Sequence, residues 1–261
     1  MNKPIGIFDS GVGGTSIWRE ITKLLPYENT IYLADSKHAP YGVKSKEDIV
    51  QLSIKNTEIL LEKGAKIIVV ACNTATTNAI TYLRQNYTAP FIGIEPAIKP
   101  AALQTQTKRV GVLATKGTLA STLFHNTSKI HASGIIIIEQ EGKGLVELIE
   151  AGKQQSQETE ALLREFMQPM LRVGIDCLVL GCTHYSYIIP ALKKIIPPNV
   201  LIIDSGYAVA KQTQNVLEKN NLLNTKNRLS KHLFYSNGDE NVLSSFVKDA
   251  SSDITILYQN F

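Results

Sequence analysis

The chain has 261 residues, of which 44% are apolar and 19% are charged, and its formal net charge is +4 at pH 7. This length suffices for one large α/β domain or for two smaller ones. The basic residues are scattered along the chain, so no nucleic-acid-binding stripe is expected. The longest apolar runs, such as Ile135 to Ile138, are far too short to cross a membrane.

The cysteines indicate a reducing compartment. Cys72, Cys177 and Cys182 are an odd number, without the spacing of a disulfide framework or of a zinc site. The chain leads directly into a strand at Ile5 and shows no signal-peptide apolar region. We therefore expect a cytoplasmic protein with reduced thiols, no metal site and no membrane segment.

The first predicted strand, Ile5–Asp9, ends on a carboxylate and is followed by a glycine-rich loop over Ser10–Gly14. The glycine spacing does not fit the dinucleotide-binding pattern Gly-x-Gly-x-x-Gly. We interpret the loop instead as a nest of backbone N–H groups that binds a small carboxylate, with Asp9 and Ser10 beside it.

Polar side chains also end the next three predicted strands. Thr30–Ala34 is followed by Asp35, the buried run Ile67–Ala71 ends at Cys72, and Phe91–Glu95 ends on an acid. In an open parallel sheet, ligands bind outside the carboxyl ends of the strands. The pattern therefore predicts a site along one edge of the sheet.

Cys72 is the centre of this predicted site. Asn73, Thr74 and Thr76 follow it and open the next helix. Because a helix N-terminus favours the thiolate, this position predicts a lowered thiol pKa. Cys177, at the start of a later strand, is instead interpreted as a buried structural residue.

A second α/β series follows a linker helix over residues 98–106. Its buried strand over Leu178–Gly181 ends at Cys182, which precedes Thr183 and His184. A later strand ends in Asp204-Ser205-Gly206, which repeats the motif that follows the first strand. This echo predicts two similar α/β lobes with mainly parallel sheets that face a shared cleft, and it places the two strand-end thiols on opposite walls.

Two opposed thiols suit proton transfer at a stereocentre. A thiolate removes the proton from one face of the α-carbon, while a thiol delivers a proton to the other face. Asp9 and His184 could tune the thiols or hold the substrate ammonium. Amide and hydroxyl groups could hold the substrate carboxylate, namely those of Ser10, Asn73, Thr74 and Thr183.

Five motifs together resemble those of glutamate racemases, in order along nearly the whole chain. They are Phe8–Gly14, Ala34-Asp35 with Pro40-Tyr41-Gly42, Ala71–Ala75, Ala114–Thr118 and Gly181–Tyr185. The resemblance implies a cofactor-independent, homodimeric enzyme that interconverts L- and D-glutamate and supplies D-glutamate for peptidoglycan. It also implies that the C-terminal segment returns to the first lobe, so that residues 1–97 with 208–261 form one lobe and residues 98–207 form the other.

The same resemblance implies the roles of individual residues. Cys72 and Cys182 are the two acid/base residues, acting on D- and L-glutamate respectively, and Asp9, Glu150 and His184 assist them. The implied substrate contacts are Asp9, Ser10, Tyr41, Gly42, Asn73, Thr74, Thr118, Thr183 and His184.

The chain departs from the family pattern beside these motifs. Glu141-Gly142 stands where a Cys-Pro pair is common, and Ser186 stands where proline is frequent. The N-terminal extension of members activated by a peptidoglycan precursor is not seen, so we expect no such activation.

Three alternatives remain open at this point. An aspartate racemase would differ in its contacts to the side-chain carboxylate. A thiol hydrolase built on Cys182 and His184 would leave Cys72 without a role, and an adjacent histidine seldom points in the same direction as its cysteine. A non-catalytic binding protein would be insensitive to thiol alkylation.

Overall fold

The computed structural model describes residues 3–224, 229–248 and 253–261, so parts of the predicted first lobe lie outside the described residues. The chain forms two parallel sheets with helices on their faces, which confirms the predicted fold class. The strands are β1 (Ile5–Asp9), β2 (Thr30–Ala34), β3 (Ile67–Val70), β4 (Phe91–Gly93), β5 (Arg109–Ala114), β6 (Ile136–Glu141), β7 (Cys177–Gly181), β8 (Leu201–Ile203), β9 (Lys231–Ser236) and β10 (Asp253–Tyr258).

Helices connect successive strands, as parallel pairing requires. They are α1 (Thr15–Leu24), α2 (Lys46–Glu62), α3 (Asn73–Asn86), α4 (Ile98–Gln104), α5 (Lys116–Leu119), α6 (Thr122–His131), α7 (Leu145–Glu150), α8 (Gln157–Arg172), α9 (Ile189–Ile195), α10 (Gly206–Lys219) and α11 (Glu240–Val247). Three 3-10 turns lie at Ser36–His38, Tyr41–Val43 and Thr183–Ile188. In the described part of the chain, no helix combines the length and apolarity needed to span a bilayer.

The first sheet has six strands in the order β10-β9-β2-β1-β3-β4. Its central strands β1, β2 and β3 are buried along their whole length, as their apolar runs predict. Asp9 pairs with Ala34, and Phe8 pairs with Val70. This register brings the carboxyl ends of the three strands to one edge, where Cys72 follows β3.

The second sheet has four strands in the order β6-β5-β7-β8. Ala114 at the end of β5 pairs with Gly181 at the end of β7 and with Glu141 at the end of β6. A Cβ atom at Gly181 would lie 2.6 Å from the Ala114 Cβ atom, so the position before Cys182 requires glycine.

The C-terminal segment adds two strands to the first sheet. From about Tyr207 the sequence predicts one long helix and a β-like end over Ile254 to Tyr258, and these are present as α10 and β10. Strand β9 was not predicted; it pairs with β2, and β10 pairs with β9. Trp18 of α1 packs edge-on against Phe234 of β9, with ring centroids 4.9 Å apart.

Two strand ends differ from the prediction. Strand β4 stops at Gly93, because the Ile94 N–H group donates to Thr76 Oγ1 rather than continuing a ladder. Glu95 therefore does not end the strand, and its side chain accepts a hydrogen bond from Thr127. The apolar run from Ile135 to Ile138 predicts a strand, and strand β6 extends beyond this run to Glu141.

Candidate active site

One small cavity collects side chains from the carboxyl edges of both sheets. Its volume is about 10 Å³, room for roughly one water molecule. This is a closed arrangement that is too small to hold an amino acid. The lining residues are Ser10, Pro40, Tyr41, Gly42, Cys72, Asn73, Thr74, Thr115, Val146, Cys182, Thr183 and His184.

A larger groove, about 540 Å³, runs along residues 193–202 at the amino end of β8. Lys193 is the one titratable residue among its described lining residues. The chemistry-bearing side chains lie instead around the small cavity.

Cys72 caps the N-terminus of α3. Its sulfur accepts a hydrogen bond from the Ala75 N–H group at 3.4 Å, and its S–H group donates to Ser10 Oγ at 3.7 Å. The predicted lowering of its pKa is wrong. Burial, followed by the negative charge of Asp9, raises the pKa of the Cys72 thiol well above its usual range and outweighs the Ala75 N–H group. Cys72 is thus a neutral thiol at pH 7.

Cys182 follows β7 and precedes the 3-10 turn Thr183–Ile188 rather than an α-helix. This tight turn brings His184 Nδ1 to 3.7 Å from the Cys182 sulfur, so the expectation that the adjacent histidine points away is wrong. Cys177 is buried at the other end of β7, as predicted for a structural residue. All three thiols are free.

His184 links Cys182 to Glu150. The ring is buried, and its Nε2 atom lies 2.6 Å from Glu150 Oε1. Burial opposes the charged form of this ring, but the hydrogen bonds to Cys182 and Glu150 together raise the pKa of His184 well above its usual value. An imidazolium donates from both nitrogens. Each ring nitrogen lies beside an acceptor, the Cys182 sulfur at Nδ1 and the Glu150 carboxylate at Nε2, and the Gly13 N–H group also lies 3.3 Å from Nε2.

The glycine-rich loop forms a nest, but the protein's own carboxylates occupy it. The Val12 N–H group donates to Glu150 Oε1 at 2.7 Å, and the Gly14 N–H group donates to Asp9 Oδ2 at 2.8 Å. A Cβ atom at Gly11 would lie 1.9 Å from Glu150 Oε1, which explains the glycine there. In this closed form, the interpretation of the loop as a substrate-carboxylate site is therefore wrong.

Asp9 lies behind the cavity, fully buried. Burial raises its pKa to about 6, although the positive charge of His184 and the Gly14 N–H group act in the opposite direction. Asp9 is also 3.5 Å from the Thr183 hydroxyl group, which lines the cavity. Asp9 and Glu150 thus approach the cavity only through other side chains.

Asn73 carries a buried amide without a partner. Within the described ranges, neither its oxygen nor its nitrogen has a hydrogen-bond partner. Buried polar atoms in native structures are nearly always paired. Because Asn73 lines the cavity, its amide is available to a ligand.

Three threonine hydroxyl groups join the two sheets beside the cavity. Thr74, at the start of α3, lies 2.8 Å from Thr115 and 3.3 Å from Thr118, and the last two lie 3.0 Å apart. Thr118 is buried behind the cavity, whereas Thr115 lines it. Thr115, Pro40 and Val146 line the cavity but were not among the predicted site residues, although Thr115 and Pro40 lie within the motifs that carry the resemblance. The available signal for Thr115 was its place at the end of the run from Arg109 to Thr115, which the sequence predicts to be a strand.

Tyr41 and Gly42 cover the cavity from the 3-10 turn Tyr41–Val43. The Tyr41 hydroxyl group donates to Asp35, so Asp35 anchors this turn and does not face the cavity. A Cβ atom at Gly42 would lie 2.8 Å from the Thr115 Cβ atom. The turn therefore presses directly against the second sheet.

The departures from the family pattern have different surroundings. Gly142 accepts a hydrogen bond from the Tyr185 hydroxyl group at 3.1 Å, and a Cβ atom at Gly142 would lie 2.3 Å from that oxygen. Ser186, within the turn that follows Cys182, is only partly buried. Despite the Glu141-Gly142 pair, Glu150 lies beside His184.

Two parallel sheets with one free thiol at the carboxyl edge of each are the arrangement of an amino-acid racemase, an isomerase, and the family comparison agrees. The model of the Asp/Glu/Hydantoin racemase family matches residues 5–213, and the chain belongs to this family. The resemblance found in the sequence is thus confirmed.

Known relatives agree with this assignment. The glutamate racemase of Herpetosiphon aurantiacus is 46% identical over 91% of this chain and 94% of its own length. That of Ectopseudomonas mendocina is 48% identical over 90% of both chains. The crystal structure of Escherichia coli glutamate racemase with L-glutamate and the activator UDP-MurNAc-ala superimposes with a TM-score of 0.87, at 31% identity over 98% of each chain.

Proposed function

We propose that the protein interconverts L- and D-glutamate by a two-thiol mechanism. The observation that carries the proposal is that the thiols of Cys72 and Cys182, from the ends of two different sheets, line one cavity. An α-carbon held between them presents one face to each sulfur. One thiolate removes the α-proton, and the opposite thiol delivers a proton to the other face.

The surroundings of the two thiols differ. Burial and Asp9 keep Cys72 protonated. An imidazolium at 3.7 Å stabilises negative charge on the sulfur of Cys182. The cation thus lies on the side of the thiol that deprotonates L-glutamate under the family's handedness. In that direction Cys182 takes the α-proton and Cys72 delivers one, and D-glutamate reacts in the reverse order.

The remaining cavity groups would hold the substrate. The unpaired Asn73 amide, together with the hydroxyl groups of Ser10, Thr74 and Thr183, supplies donors for the α-carboxylate, where charge spreads as the proton leaves. Tyr41 and Gly42 would cover the substrate from the 3-10 turn Tyr41–Val43. Thr118 acts through its hydrogen bond to Thr74. Asp9 and Glu150 act through Thr183 and His184.

We propose that no pyridoxal cofactor takes part, because two opposed bases suffice for the proton transfer. The test is dialysis followed by treatment with hydroxylamine. Full activity and no pyridoxal absorbance are expected. Loss of activity with hydroxylamine would contradict the proposal.

The cellular setting is part of the same proposal. D-glutamate made in the cytoplasm would supply peptidoglycan synthesis, and the enzyme would act as a homodimer. Residues 1–97 with 208–261 would move as one lobe against residues 98–207. The pairing of β9 with β2 supports the assignment of the C-terminal segment to the first lobe, although α10 spans the boundary at 208. Light scattering at working concentrations tests the dimer.

Substrate identity is tested with a panel of single enantiomers. L- and D-glutamate should racemise, whereas L- and D-aspartate should react far more slowly. Faster reaction of aspartate would establish the aspartate racemase alternative. Ligand binding without racemisation, unaffected by thiol alkylation, would establish the binding-protein alternative.

A further inference from the structure

Glu150 lies between the two sheets and is held by donors from both sides. It ends α7, which follows β6 of the four-stranded sheet. Its Oε1 atom accepts from the Val12 N–H group at 2.7 Å and from His184 Nε2 at 2.6 Å. Its Oε2 atom accepts from the Ser36 hydroxyl group at 2.9 Å. Three donors on two oxygens fix the plane of this carboxylate.

Ser36 itself belongs to the other side of the cleft. It opens the 3-10 turn that follows β2 of the six-stranded sheet. Gly238, just after β9, packs against it, and a Cβ atom there would lie 2.8 Å from the Ser36 Cβ atom. The neighbouring Lys37 N–H group donates to Asn237 at 2.9 Å. The serine is therefore held firmly on the first sheet.

We infer that Ser36 is a positioning residue, which orients Glu150, and through it His184 and Cys182, only when the two sheets are closed on each other. The hydrogen bond of Ser36 joins elements of opposite sheets, so separation of the sheets breaks it. Without this bond, Glu150 Oε2 has no donor from the described residues, and only the two bonds to Oε1 remain to orient the carboxylate beside the ring of His184. Among the described residues, no hydrogen bond joins Ser36 to Cys72, whose own hydrogen bonds are to Ser10 and Ala75.

This inference rests on the proposed function. It predicts that loss of Ser36 slows proton removal by Cys182 but not proton removal by Cys72. The rate constants kcat/KM of the two racemisation directions cannot reveal it, because enantiomers have equal free energies and the two values must stay equal. Elimination is irreversible, so its rates for the two enantiomers need not be equal. From threo-3-chloroglutamate, one sulfur takes the α-proton, the electron pair forms the Cα–Cβ double bond and chloride leaves. The enamine then hydrolyses to 2-oxoglutarate and ammonium.

The experiment compares Ser36→Ala with the wild type on the L- and D-enantiomers of this probe. We expect elimination to fall about 10-fold for the enantiomer that Cys182 deprotonates, the loss of one hydrogen bond to a charged group. The other enantiomer should change by less than about threefold. The matched control is Thr127→Ala, which removes a 2.9 Å hydroxyl–carboxylate bond to Glu95 outside the cavity. It should change neither rate.

A double-mutant cycle with Glu150→Gln separates positioning from a general structural effect. If Ser36 acts through Glu150, Ser36→Ala should alter elimination by less than about twofold in the Gln background. An equal loss for both enantiomers, or a full second 10-fold loss in that background, would overturn the inference. If the wild type neither racemises glutamate nor eliminates chloride, the proposed function fails instead.

Discussion

His184 Nδ1 lies 3.7 Å from the sulfur of Cys182, while Nε2 of the same ring lies 2.6 Å from Glu150. The two thiols of the cavity therefore have unlike electrostatic neighbours: a cation beside Cys182 and the carboxylate of Asp9 near Cys72. The mechanism is chemically symmetric, but the protein around it is not.

Replacement of either cavity thiol should abolish racemisation. Cys72→Ser and Cys182→Ser each remove an acid/base group, and a hydroxyl is too weak an acid to replace it. A loss of roughly 10²–10⁴-fold in kcat is expected, measured by polarimetry. Cys177→Ser is the control, because Cys177 lies outside the cavity. Near-normal racemisation by either cavity variant would refute the two-base mechanism.

Replacement of His184 should mainly slow the proton removal that Cys182 performs. His184→Asn removes the cation beside Cys182, so chloride elimination from the enantiomer deprotonated by Cys182 should fall by at least about 10-fold. Elimination from the opposite enantiomer should fall less. His232→Asn serves as the control. His232 lies on strand β9, outside the cavity, and is hydrogen-bonded to Thr30 of β2. Equal losses for both enantiomers in His184→Asn would show that the ring is not specific to Cys182.

Ionised Asp9 should lower the free energy of unfolding, although the residue is needed for the reaction. The pKa of its carboxyl group is about 6 in the folded protein and 3.8 in the reference state, so the folded state binds the proton more tightly. The free energy of unfolding should therefore fall as pH rises from about 4 to about 6. Ionised Asp9 costs about 3 kcal/mol at neutral pH.

Asp9→Asn should remove that cost, raising the free energy of unfolding at pH 7 and flattening its pH dependence between pH 4 and 6. Racemisation should fall in the same variant. Urea unfolding at several pH values measures the first effect. Asp176→Asn is a control of opposite sign, because hydrogen bonds from Thr105 and nearby backbone groups overcome desolvation and lower the pKa of Asp176 to about 2. A less stable Asp9→Asn at pH 7 would contradict the account.

Asn73 should contribute to binding but not to stability. Its buried amide has no partner within the described part of the chain, so Asn73→Ala removes an unsatisfied group as well as a few atoms. We expect an unfolding free energy within about 1 kcal/mol of wild type and a KM for glutamate raised by at least about 10-fold. A large loss of stability with an unchanged KM would show that the amide is structural.

The sequence predicted those features that depend on local pattern. The buried runs of β1, β2, β3 and β7 and the polar residues at their ends are visible in the chain itself, and they bring Cys72 and Cys182 to one cavity. Strand β9 was not predicted because its six residues include Lys231 and His232 and form no continuous apolar run. Its place beside β2 depends on contacts about 200 residues apart in sequence.

The electrostatics of the site could not be predicted from local rules. The helix N-terminus after Cys72 suggested a lowered thiol pKa, but burial and Asp9 reverse the direction. Likewise, the nest in the glycine-rich loop was visible, whereas its occupation by Glu150 depends on how the two sheets meet. Val146 carries no polar signal at all and lines the cavity by packing alone.

The central claim is proton exchange at the α-carbon between two thiols, and ¹H NMR in D₂O tests it most directly. L-glutamate and D-glutamate are each incubated with the enzyme while the α-proton signal is followed. The account predicts that this signal is lost from both enantiomers as racemisation proceeds. In Cys72→Ser and Cys182→Ser, no α-proton should be exchanged with inversion of the α-carbon. Racemisation with the α-proton retained, or no exchange from either enantiomer, would contradict the account.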